Sequence, residues 1–600
     1  MRLLLLLLLS PSLAAMPGTP PTVENAEALA RLIGAVRYYH PSDAAAATDW
    51  DRFTIHGMRH VAGAETAADL RDRLAELFGP VAPTVAVYRL VDGFPAEDPS
   101  LHPEDTAGLE VVAWRHLGMG GPGTPPFYAS VRTSRPDSTK ADAQAFLDER
   151  LPAPTPGDAE IVPLGRGLAA RVPLALYSRS GRTLRPAGAP PADALADALA
   201  AVDVASATVE DRAVRLANVA AVWAALDSFY PYFDVVDVDW DAVLRRALAR
   251  AAQPAAGSVE GFRDVLREMV AALGDGHGSV IHRGRLAEGD LPFRVDRVEG
   301  RPVVVAVAPG APADACVAVG DELVALDGEP VGPALAEDHR LTSGSPQWKA
   351  FRTHATFGRG PVGSEARVAF DRGGTRAECV VERTESGGPY GLVEPARPEP
   401  FAELEDGVFY VDLTRPVTDA VTENLGRLAD ARGVVLDLRG YPAGTTGVLG
   451  YLASDTLRSP RWQTPIRTRP GRGRVDGYNT DGRWTIPPSE TPFGGRLVVL
   501  ADGRAISQAE SFLQTIVAGT DAVVAGEASA GANGNVARLL LPGGFGVQWT
   551  GMRVVNEDYS QHHLLGVRPA VPVRRTVAGV RAGRDEVLDA AVELIMDPQR

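Results

Sequence analysis

Two residues stand out for the chemistry their surroundings could support, Ser507 and His277. Ser507 follows an apolar run, Leu497 to Ala501, and a polar turn, Asp502-Gly503-Arg504, and a helical pattern begins just after it. A serine at such a strand–turn–helix junction meets free backbone N–H groups and positive partial charge. Both favour a hydroxyl nucleophile and the oxyanion it creates. The position equally suits a helix cap, with Glu510 three residues on completing a capping box. A nucleophile needs a base. The chain has two lysines, Lys140 and Lys349, and none after them, so a base for the C-terminal region has to be histidine. Among eleven histidines, His277 sits in Gly274-Asp275-Gly276-His277-Gly278-Ser279, where flanking glycines free the backbone to present an imidazole. Otherwise it is a solvent-exposed turn residue. His282, His562 and His563 are further candidates.

The elements that must position these residues follow from pattern. Residues 21–83 are helical, and 210–275 repeat them: RLIGAVRYYHPSDAAAATDWD (31–51) matches VWAALDSFYPYFDVVDVDWD (222–241), and DLRDRLAELF (69–78) matches GFRDVLREMV (261–270). Only the second copy continues into LGDGHGSV (273–280). Between the copies, short alternating runs with Pro- and Gly-rich turns predict a β-rich insert. Residues 289–385 resemble a PDZ domain of the kind found inside secreted proteases, with a long loop from Leu341 to Gly360; a β-rich spacer without a ligand is the alternative. A Pro/Glu/Gly-rich linker, 386–400, precedes alternating strands and helices to the end of the chain.

Six motifs keep one order: helix–LGDGHGSV, the PDZ-like unit, VVLDLRGYPAGTTG (434–447), Ser507-Gln508-Ala509-Glu510, GEASAGANG (526–534) and LLGVRPAVPV (564–573). This order resembles the C-terminal-processing (tail-specific) serine peptidase family, in its tricorn-core-like, histidine-using branch, over roughly residues 210–600. The resemblance implies Ser507 as nucleophile, His277 as base, and a ClpP/crotonase-like αββ catalytic core. It puts the other branch's lysine at Ala532. By similar logic the oxyanion hole falls to backbone N–H groups at Gly440, Tyr441 and Gln508. Two positions depart from the branch pattern. Gly276 replaces a serine before the histidine, and His563 replaces a glutamate. The orienting acid is therefore open among Glu557, Asp558, Asp275 and Glu510, with His563 a candidate accessory group.

Composition bounds the rest. Six hundred residues, 45% hydrophobic and 23% charged, predict several soluble globular units. A net charge of −16 argues against nucleic acid and anionic membranes. The start, MRLLLLLLLSPSLAAMPG, reads as a cleavable export signal too short to span a bilayer, which predicts a periplasmic or extracellular protein without a transmembrane anchor. In such a compartment Cys316 and Cys379 could pair, although two unpaired thiols are the plainer expectation. No Cys/His spacing suits zinc, so neither metal nor cofactor is expected.

The expected fold is α/β multidomain: signal 1–15, helical unit 16–83, β-rich insert and linker 84–207, second helical unit with His277 208–288, PDZ-like β domain 289–385, linker 386–400, catalytic core 401–600. The expected function is an exported serine endopeptidase acting on unfolded or C-terminal peptides. The alternative is a non-catalytic carrier of apolar ligands or peptides within the same fold family. Oligomeric state is open.

Overall fold

A computed structural model describes residues 21–132 and 153–597, apart from 97, 122–123, 126, 285–287, 311–315, 389 and 393. The export-signal reading lies outside the described residues.

The C-terminal region is built on a six-stranded sheet in the order Phe401–Glu405, Val408–Asp412, Gly433–Asp437, Arg496–Ala501, Val523–Gly526, Val571–Pro572. All pairs after the first are parallel. Successive side chains leave opposite faces, and both faces are covered. Val435, Val498 and Leu500 pack on Ala591, Leu594 and Ile595 of the helix Glu586–Met596. On the other face Val411, Leu436 and Val499 meet Phe512, Leu513 and Ile516 of the helix Gln508–Gly519. Each such fully buried side chain contributes about 1.5–3 kcal/mol. Two adjacent parallel strands end side by side, Gly433–Asp437 running into Gly440 and Arg496–Ala501 into Ser507. Ligands of open α/β sheets gather beyond such carboxyl ends.

The repeated segments fold alike. Asp49 caps the helix Trp50–Val61 as Asp239 caps Trp240–Ala251, and Thr66 caps Ala67–Phe78 as Ser258 caps Val259–Ala271. The long helices Pro21–Tyr39 and Arg212–Phe229 cross closely, and a Cβ at Gly34 would lie 3.2 Å from Ala224 Cβ. The boundaries drawn from sequence do not separate cores here. One apolar cluster joins Leu29 and Leu77 of the first copy, Leu168 and Val172 of the insert, Val219 and Leu266 of the second copy, and Val547 and Trp549 of the C-terminal region. The insert also adds the strand Glu110–Leu117 beside Arg461–Arg467.

Residues 293–382 form an antiparallel sheet of Phe293–Val298, Arg301–Val307, Glu322–Leu326, Glu365–Arg372 and Thr375–Glu382, with the short strand Glu329–Pro330 paired to Glu322–Leu326. Two expectations are corrected in this unit. Cys316 and Cys379 form a disulfide and are not free thiols. The stretch read as a long loop contains the helix Pro346–Ala355, started by a Ser345 cap and proline in its first turn. Residues 386–400 do more than connect. Their Glu394 is buried and accepts from Arg294 (2.5 Å), Arg504 (2.6 Å) and Arg575 (3.1 Å). Burial pushes its carboxyl up, but Arg575, Arg504 and Arg294 outweigh burial and hold it well below the usual carboxylate range. No helix among the described residues is long and apolar enough to cross a membrane.

Candidate active site

Ser507 stands half-buried at the mouth of the helix Gln508–Gly519 with φ 59° and ψ −115°. A side-chain-bearing residue costs about 1–3 kcal/mol in such a region, so its surroundings must over-determine it. They do. Ser507 N–H donates to Ala532 O (2.9 Å), Ala505 N–H to Asp502 O (3.0 Å) and Ala530 N–H to Ala505 O (2.8 Å). The hydroxyl makes no capping hydrogen bond, which overturns the capping-box reading. Glu510 is instead fully buried and accepts from Ser529 Oγ (2.6 Å), Gly531 N–H (2.6 Å) and Ala532 N–H (2.7 Å), with His562 Nε2 at 3.1 Å. Burial alone would raise its pKa; His562 and these donors bring it below the ordinary value. Glu510 thereby fixes the loop that holds Ser507.

His277 reaches this region through a strand. Ser279–His282 pairs antiparallel with Phe545–Thr550, Ser279 opposite Gln548, so continued register sets His277 opposite Thr550. His277 Nδ1 lies 2.9 Å from Thr550 Oγ1, and Thr550 Oγ1 lies 2.6 Å from Asp275 Oδ1. Asp275 also accepts from Thr550 N–H (2.6 Å) and His277 N–H (3.1 Å). A carboxylate offers no proton, so Thr550 donates its own to Asp275 and accepts from Nδ1–H. That assigns the tautomer with Nε2 unprotonated, as a base requires. Burial lowers the His277 pKa below its ordinary value, against the pull of Asp275 and Glu510, which keeps the ring neutral at neutral pH.

The glycines around His277 serve close approach. A Cβ at Gly276 would sit 2.6 Å from Ala532 Cβ and 3.2 Å from Ile506 Cδ1; only Gly274 has positive φ (62°). The serine of the branch pattern thus has no room, and Gly276 against Ala532 seats the histidine segment beside the residue that binds Ser507 N–H. His277, Tyr441, Ile506 and Trp348 line one cleft of about 540 Å³. Among the described residues neither Ser507 Oγ nor His277 Nε2 makes a hydrogen bond; such contacts often tighten only around substrate.

Of the three expected oxyanion donors, Gly440 N–H is already used by Leu438 O (2.9 Å), while the Tyr441 and Gln508 N–H groups have no acceptor among the described residues. Other candidates lie elsewhere. Glu557 pairs with Arg461 and Arg483, and exposed Asp558 accepts from Ser560 N–H, so neither orients His277. His563 is buried, stacked on Tyr232 at 3.8 Å, with Nε2 3.0 Å from Tyr230 Oη. Burial takes its pKa to about 4, so it is a neutral packing group behind the site. Asp275 is the acid that the geometry brings to His277, through Thr550. Thr550 went unnoticed in sequence because its signal is strand register across the chain.

Residues 407–573 match the model of peptidase family S41. They are a peptidase family S41 domain. The S41 domain contains Ser507, Tyr441, Glu510 and Thr550, whereas Asp275 and His277 come from outside it. No curated protein matches the chain. Solved structures do. Mature CPAF complexed with lactacystin superposes with a TM-score of 0.52 at 15% identity, over 64% of this chain and 98% of that one. Mature CPAF gives 0.51 at 16% identity, over 64% and 97%. The photosystem II D1 C-terminal processing protease gives 0.36 at 18% identity, over 61% and 94%. At these identities the CPAF likeness is one of fold, and it agrees with the multidomain S41-type architecture.

Proposed function

We propose that the protein is an exported serine endopeptidase acting on unfolded or C-terminal peptide segments. Ser507 Oγ attacks the scissile carbonyl carbon while His277 Nε2 takes its proton. The developing oxyanion meets the Tyr441 and Gln508 N–H groups. His277 then protonates the leaving amine as the tetrahedral species collapses to an acyl-enzyme, and water, activated by the same ring, releases the acid. Thr550 and Asp275 are positioning residues that hold the tautomer. The antiparallel unit, PDZ-like in its sequence pattern, would present the peptide to the cleft.

The observation that carries this reading is the Ser507 backbone: a strained, side-chain-bearing residue with an unused hydroxyl at a helix start. A carrier of apolar ligands is less well supported, because the cleft beside His277 is lined by Arg263, Arg267, Arg352 and Arg359. The test is hydrolysis of casein together with labelling by a serine-directed phosphonate. Wild type is expected to cleave and to carry one label at Ser507, and Ser507→Ala to do neither. Cleavage by a folded Ser507→Ala protein would end the proposal.

A further inference from the structure

The helix Pro346–Ala355 packs on the strand Phe293–Val298 of its own antiparallel unit and is also seated on the S41 domain. Ser345 Oγ donates to Ala530 O (2.5 Å), and Gln347 Nε2 to Ser529 O (2.9 Å). Trp348 packs with Ile506, Ala530 and Ala532, the residues around Ser507. Arg352 follows Trp348 by four positions and so leaves the same helix face one turn on. It lines the same cleft as His277 and Tyr441.

The other cleft arginines are engaged. Arg267 pairs with Asp264 and Asp338, Arg359 with Asp290 at 2.6 Å, and Arg263 with Glu260. The Arg352 guanidinium makes neither hydrogen bond nor ion pair with any described residue. Burial and the neighbouring Arg359 lower its pKa, and Tyr390, Asp290 and Glu288 offset this only in part. Arg352 is half-buried, so water meets part of its guanidinium while no described acceptor does, and a planar carboxylate would satisfy it with two parallel hydrogen bonds. Within a substrate cleft, that deficit is removed only when the right ligand arrives. One helical turn from Trp348 is about 6 Å, or roughly two residues of an extended peptide.

We propose that Arg352 is a specificity residue that binds a carboxylate of the peptide, either an acidic side chain or the chain-terminal group, within about three residues of the cleaved bond. This rests on the serine-peptidase reading. The test uses quenched fluorescent peptides in which Glu is walked through the positions flanking the cleaved bond, each with a Gln counterpart, and each made with a free or an amidated C-terminus. Binding of the same peptides to Ser507→Ala is followed by fluorescence anisotropy. At one position Glu is expected to exceed Gln by about tenfold in kcat/KM and in affinity. Loss on amidation in place of loss on Glu-to-Gln exchange assigns the chain-terminal carboxylate. Arg352→Gln should bring the ratio to about one, and Arg352→Glu should turn the preference toward Lys. Equal binding of all peptides, or a preference unchanged in Arg352→Gln, overturns the inference. Carboxylate-dependent binding with no hydrolysis by wild type would instead overturn the peptidase reading and leave the Arg352 site standing.

Discussion

Thr550 decides how His277 is protonated. Its hydroxyl has one proton to give and gives it to Asp275, so it can only accept from Nδ1–H. Replacing Thr550 by Val should remove that acceptor while keeping the side-chain shape. The expected result is a fall in kcat of about 10–100-fold with KM little changed, measured on any cleaved peptide; an undiminished kcat would show that the relay has no part in the reaction. Ser507 and His277 stood out as candidates by residue type, the scarcity of lysine leaving histidine as a base, but it took the ordered motifs and the family resemblance to join them. Glu510 was misread. Its spacing from Ser507 fits a capping box, yet its carboxylate is taken by three donors from residues 529–532 that lie far along the chain. The lack of room at Gly276 was invisible for the same reason. It is defined by Ala532, and no local pattern announces that contact.

At the scale of elements, the parallel strands and the helix Gln508–Gly519 follow from continuous apolar runs and from periodicity, and they were readable. The helix Pro346–Ala355 was not assigned, although Ser345-Pro346 is a helix start by its capping chemistry. Its importance comes from tertiary contact, since it packs on the strand Phe293–Val298 of its own unit and also covers the ground next to Ser507. The disulfide links Cys316 to Cys379 across a separation of 63 residues. Closing a loop of that size restricts the unfolded chain and is worth about 2–5 kcal/mol. Dithiothreitol should therefore lower the melting temperature of the antiparallel unit, and a Cys316→Ser, Cys379→Ser double variant should melt at the lower temperature with or without reductant. Identical melting of oxidised and reduced wild type would show that the bond adds nothing.

Across the whole molecule, the repeated helices, the insert and the strands carrying Thr550 share one core. A chain beginning at residue 208 would expose the apolar faces of Arg212–Phe229 and Phe545–Thr550, and it should be recovered aggregated and inactive; a soluble, active product would refute the shared-core argument. The same packing makes the protein sensitive to acid. His40 is fully buried between Ser42 Oγ (3.1 Å) and Thr84 Oγ1 (2.6 Å), and burial takes its pKa to about 3, while His563 falls to about 4. Both values lie below the unfolded value near 6.5, so below that pH the unfolded chain binds protons that the folded chain refuses. Stability is complete above pH 6.5 and should fall by on the order of 3 kcal/mol per buried ring as pH drops toward 4. Equal melting temperatures at pH 7.5 and 4.5 would contradict this. The strand Ser279–His282 carries one further consequence, which concerns time. Thr550 follows His277 by 273 residues. Since ribosomes build chains from the N-terminus, His277, the proposed base, is made first, while Ser507, the proposed nucleophile, and then Thr550 are still unmade. On the proposed reading, a half-synthesised copy would lack its nucleophile and could not cut its neighbours.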